Sequence, residues 1–121
     1  MQLISKMLTM QSQLRIFHWQ SKTFAQHEAF GKAYESLDEL VDDFIEVFQG
    51  TRGVVKTKGK FNLQLCNLTD CDPVELINEH IEFLSNDLTN LLNDKKDTDL
   101  LNLKDEMIAV LNKTKYLLRL T

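Results

Sequence analysis

The chain has 121 residues, a formal net charge of −4 and 43% hydrophobic residues. This length suits one domain, residues 1–121, with a core of limited size that association between subunits would reinforce. The hydrophobic fraction excludes a disordered chain, the acidic balance argues against general nucleic-acid binding, and no apolar run is long enough to span a membrane.

Four Gly and one Pro leave little punctuation, which favours long helices over many short strands. No charged segment precedes a long apolar run, so no signal peptide is expected and the expected compartment is the cytoplasm. The two cysteines, Cys66 and Cys71, are too few for a disulfide scaffold, and their C-x4-C spacing has no second pair to complete a zinc site. They are expected to be reduced thiols, with reversible pairing as the lesser alternative.

The first predicted helix covers residues 2–20. Leu3, Met7, Met10, Leu14 and Phe17 recur at helical spacing, and only Lys6 and Arg15 carry charge. So few charges imply cover on more than one side, for which another subunit is one candidate. Thr23 then caps a second helix from about Phe24 to Gln49, with Gln26 completing a capping box. Its stripe is Phe30, Tyr34, Leu37, Val41, Phe44 and Phe48, and Gly50 stands where a helix-ending glycine belongs.

Residues 51–71 break the pattern. Arg52, Lys56, Lys58 and Lys60 occur without an acid, in what reads as a solvated loop. Phe61, Leu63 and Leu65 alternate with polar residues, as in a segment lying extended along a bundle. Asp72-Pro73-Val74-Glu75 is a strong helix start, with an Asp cap, Pro in the first turn and Glu three residues after the cap. The third helix runs to about Asn93, with Val74, Ile77, Ile81, Leu84, Leu88 and Leu91 as its stripe, and His80 borders that stripe as a structural residue. A polar turn, residues 94–98, leads to a fourth helix from about Thr98 to Leu120, with Leu100, Leu103, Met107, Leu111 and Leu118 inward. Two short turns and one long connection between the second and third helices give an all-α, ferritin-like four-helix bundle with a long crossover.

The chemistry concentrates between His18 and Gly50. The second helix carries seven acids against one Lys, a field that attracts cations. Asp42 and Glu46 share a face and border the apolar stripe. His18 and His27 flank the first turn. Imidazole with carboxylate is a common ligand set for iron, manganese or zinc, although two ordinary histidines and a solvated acidic face would look the same. His27 and Asp42 lie about 22 Å apart along one helix at about 1.5 Å per residue, so one metal ion cannot touch both within a chain. Two copies related by a two-fold axis would bring His18 and His27 of one to Asp42 and Glu46 of the other, twice per dimer.

His18-Trp19, His27, Asp42 and Glu46 resemble the ferroxidase segment of Dps-type mini-ferritins, over about residues 14–50. Over residues 18–50 the likeness is greater still to small ferritin-like proteins of tailed bacteriophages, which would place the protein in a host cytoplasm. The resemblance implies metal ligation by His18, His27, Asp42 and Glu46, iron as the metal, a homodimer at least, and oxidation of Fe(II) by dioxygen or peroxide. It also implies that Trp19 supplies or quenches an electron near the site, where the residues alone read equally as a packed aromatic. Mini-ferritins usually carry an acidic ligand one turn after the second His, and here that place is Gly31. The segment from Trp19 to His27 is shorter than theirs, and there is no basic N-terminal tail for compacting DNA. The alternative is a ferritin-like helical bundle without metal, serving as an interaction or structural module. No Glu-x-x-His, G-x-S-x-G, P-loop or G-x-G-x-x-G occurs, so a di-iron centre within one bundle, hydrolase chemistry and nucleotide binding have no support.

Overall fold

The computed structural model describes residues 2–121. These form four helical rods and no strand: α1 Leu3–Gln20, α2 Phe24–Arg52, α3 Pro73–Glu82 continued by a π-helical segment Phe83–Leu88, and α4 Thr98–Leu118. The all-α class and the long connection between α2 and α3 are as the sequence predicts. The short turns make neighbours of α1 and α2 and of the third rod and α4, and α2 also packs against α4, from which the long connection and the third rod separate it in sequence.

The start of α2 is set by its cap. Thr23 accepts a hydrogen bond from the Gln26 N–H, and Gln26 in turn accepts one from the Lys22 N–H. The Asp72 carboxylate accepts from the Val74 N–H in the same way and starts α3. All five stripe residues of α1 are buried, as are Phe30, Leu37, Val41 and Phe44 of α2. Tyr34 and Phe48 are only partly covered.

Three features depart from the sequence expectations. Gly50 lies inside α2, which runs on to Arg52 and ends at Gly53. Gly53 has φ +81°, which side chains with a Cβ rarely adopt, and its N–H closes on the Gln49 carbonyl. In the third rod, the π turn inserts extra backbone and rotates the residues after it about the rod axis. Phe83 joins Ile77, Leu84 and Leu88 in the core, whereas Val74 and Leu91 are exposed. The Thr89 hydroxyl donates to the Leu84 carbonyl, five residues back, and closes that wide turn. In the connection, Phe61 and Leu65 stay exposed, and Val55, Leu68 and Cys71 make the core contacts instead.

Arg52 and Asp97 are also corrected. Arg52 belongs to α2 and not to a free basic loop. Its guanidinium donates to the Asp97 carboxylate at 2.7 Å and lies over the Phe48 ring. The same Asp97 oxygen accepts the Asn93 N–H at 2.7 Å, so a residue expected in a polar turn is buried and ties that turn to the end of α2. The Asn93 N–H, and then the Arg52 guanidinium, hold the Asp97 carboxyl below its ordinary value near 3.8. The stability from this pairing is therefore present above that value and is lost as the pH falls through the lower folded-state value. Asp97→Ala is expected to lower Tm by a few degrees at pH 7, and the difference from the wild type is expected to shrink as the pH is taken below 3.8. Thermal unfolding followed by circular dichroism checks both.

The cysteines are the last correction. Cys66 and Cys71 form a disulfide and are not free thiols, with Cα atoms 6.5 Å apart. The spacing allows this because the four residues between them, Asn67 to Asp70, turn the chain back on itself, with the Asp70 N–H closing on the Asn67 carbonyl.

Candidate functional site

The end of α1 and the start of α2 are held by two histidines that bond to each other's backbone. Nδ1 of His18 lies 2.7 Å from the carbonyl oxygen of His27, and Nδ1 of His27 lies 3.0 Å from the carbonyl oxygen of His18. A carbonyl only accepts, so each Nδ1 carries a proton and donates it. That fixes both tautomers and leaves both Nε2 lone pairs free of protein partners. A backbone carbonyl orienting the far ring nitrogen is the usual support of a metal-binding histidine. The two rings stack with centroids 3.7 Å apart and planes inclined by 24°.

The surroundings hold this pair in register. The Tyr34 ring meets His18 edge-on at 5.1 Å, and the Arg15 guanidinium lies over Tyr34 at 4.8 Å. Arg15 donates to Asp38 at 2.7 Å, and the Gln11 amide donates to the other Asp38 oxygen at 2.9 Å. The sequence alone did not point to Arg15, Tyr34 and Asp38 as site residues. The signal available was Tyr34 and Asp38, spaced i,i+4 on α2 and facing a helix with only two charges.

Gly31 is buried beneath His18. A Cβ built on it would lie 2.9 Å from both Nδ1 and Cε1 of the His18 ring. The imidazole thus occupies the space a side chain at residue 31 would need.

Asp42 and Glu46 lie farther along α2, and both are exposed. They flank an apolar groove of about 230 Å³ between α1 and α2, lined by Ile4, Met7, Leu8, Val41 and Ile45. The structure brings His18 to His27 and sets Asp42 beside Glu46, but it does not bring the two pairs together within the chain. Among the described residues, no group of three or more His, Cys, Asp or Glu side chains could hold a metal ion. Trp19 is 69% exposed and is not a packed aromatic. Phe24, 77% exposed, lies beside His27 at the same end of the molecule.

The fold and site define a small all-α protein with a histidine pair closing its first helical hairpin. The chain belongs to DUF5856, a family of unknown function, whose match spans residues 18–118 and so begins at His18. Neither the curated proteins nor the solved structures contain a match.

Proposed function

We propose that this protein is a ferritin-like metal-binding protein, with iron as its metal, whose ferroxidase-like site forms between two copies of the chain across a two-fold axis. The observation that carries this reading is the crossed His18–His27 pair, whose fixed tautomers present two imidazole Nε2 atoms as ligands. Asp42 and Glu46 of the second copy supply the carboxylates, whose hard oxygens favour the ferric product. The apolar groove flanked by those acids, with Leu8 exposed at its side, supports a second copy lying there. Trp19, adjacent to His18 and open to solvent, exchanges an electron with the site. Manganese and zinc suit the same ligands, and iron is preferred on the resemblance to mini-ferritins.

A second reading has its own observation. The His27 ring also satisfies the carbonyl of His18, one of the last in α1, and so works as a structural clasp of the hairpin. In that reading the bundle is an interaction module without metal.

Anaerobic Fe(II) titration followed by exposure to oxygen separates the two. Binding at micromolar iron is expected in the wild type and is lost in His27→Ala and in Asp42→Ala. Mixing the two variants under conditions that exchange subunits restores about a quarter of the sites, because half the dimers then carry one intact site of two. A strict monomer, or a wild type that binds no iron at these concentrations, leaves only the clasp.

A further inference from the structure

The connection between α2 and α3 is fastened to α1 at one place. Gln13 and Gln20 lie seven residues apart on α1, two turns along the same face. Gln13, only 2% exposed, donates its amide to the Cys66 carbonyl at 2.8 Å and accepts the Cys66 N–H at 2.9 Å. Gln20 accepts the Leu68 N–H at 2.8 Å and donates to the Asn67 side-chain oxygen at 2.9 Å. Four hydrogen bonds thus zip three consecutive residues onto α1, where they provide cover for a helix too poor in charge to face water all round.

The disulfide starts inside that zip. It joins Cys66, held by Gln13, to Cys71, which directly precedes the Asp72 cap of α3. The bond therefore links the docking point on α1 to the first turn of α3 through a ring closed over few residues. Both cysteines are only half-buried, so a thiolate can reach them. Of the ring, only Leu68 and Cys71 touch the core. Opening it requires no rearrangement of α2 or α4.

We infer that the Cys66–Cys71 bond is a redox-operated latch that decides whether the α2–α3 connection stays fastened to α1. A dithiol reductant opens it. One thiolate attacks a sulfur of the bond to give a mixed disulfide, and the second thiol displaces the protein sulfur. Two electrons and two protons pass to the protein, leaving Cys66 and Cys71 as thiols and the reductant as its own disulfide. Without the covalent tie, the glutamine hydrogen bonds compete with water alone, and residues 66–71 leave α1. Gln20 is two residues from His18, so the opened state also loosens the last turn of α1 beside the histidine pair. The latch does not depend on metal binding.

Hydrogen exchange on oxidised protein and on protein reduced with dithiothreitol tests this. In the reduced form, the Cys66 and Leu68 amides exchange at least about tenfold faster, while the core amides of α2 and α4 keep their protection. Reoxidation restores the slow rates, and the Cys66→Ser/Cys71→Ser protein matches the reduced form. Gln13→Ala with the bond intact speeds the Cys66 amide but not Leu68. Equal rates in the two forms overturn the proposal, as do two free thiols that persist under oxidised dithiothreitol. Global unfolding on reduction overturns it too, because the bond would then be a fixed staple.

Discussion

Between pH 6.5 and pH 4 the protein is expected to lose about 3 kcal/mol of stability through one residue, His80. Its Nε2 is buried with no hydrogen-bond partner. Burial, and then the charge of Lys6 on α1, push the imidazole from its ordinary 6.5 down to about 4. The other charged side chain lining this cleft is Glu79, and the connection contributes the neutral Asn62 and Gln64. Above pH 6.5 the ring is neutral folded or unfolded, and it adds no pH dependence. As the pH falls below 6.5, the unfolded chain takes up a proton that the folded one refuses. Stability then drops by about 1.4 kcal/mol per pH unit until the folded ring also protonates near pH 4. A loss of this size is a large share of the roughly 5–15 kcal/mol that holds a small domain together. His80→Leu removes both the titration and the unpartnered nitrogen. Its stability in urea is expected to match or exceed the wild type at pH 7 and to stay flat from pH 6.5 to 4. Parallel slopes in the two proteins would falsify this account. The Asp97 pairing titrates below this window, so the two effects separate on one pH series.

His80 also shows what a sequence can and cannot convey about this fold. Its place beside the stripe of α3 was legible, because helical periodicity says which residues border a core. Its unpartnered state was not, since that depends on α1 and the connection closing over it. The same division recurs elsewhere. The stripe of α1 and both capped helix starts arise from local patterns and are found as expected. The π turn that opens at Phe83 has no such pattern, nor does the end of the rod at Asn90, which leaves Leu91 exposed in the following turn. The Arg52–Asp97 pair joins residues 45 positions apart, so neither a basic loop nor a polar turn announces it. The disulfide was hidden for a different reason: five residues of separation permit a bridge but do not require one.

At the site, the spacing of His27, Asp42 and Glu46 already shows that one chain keeps these ligand types apart. The crossed histidine–carbonyl bonds were beyond reach, because they require the geometry of the turn from Ser21 to Thr23. Gly31 lies between these cases. A glycine inside a helix costs about 1 kcal/mol relative to alanine, so its presence there hints at a close approach. What approaches it, the His18 ring, became visible only in three dimensions.

That contact gives the second large effect. Gly31→Glu, which places a carboxylate where mini-ferritins usually carry one, is expected to destabilise the protein by about 3 kcal/mol and, on the proposed function, to weaken metal binding. The new Cβ would press on Nδ1 and Cε1 of His18 at 2.9 Å. The ring cannot simply turn aside, because His27 stacks on one face, Tyr34 meets it edge-on and Nδ1 is bonded to the His27 carbonyl. Relief requires breaking that hydrogen bond or bending α2, and the carboxylate must also be accommodated at a buried position. Gly31→Ala isolates the steric part. Overpacking costs about 1–3 kcal/mol, and the better helix propensity of alanine returns about 1 kcal/mol, so a net loss near 1 kcal/mol is expected. Urea denaturation gives the energies, and the His18 and His27 Cε1–H resonances report whether the stack survives. An alanine variant as stable as the wild type with unshifted histidine resonances would show that the ring yields freely. In that case Gly31 is not what holds His18 in place, and the glutamate variant should gain metal affinity instead of losing it.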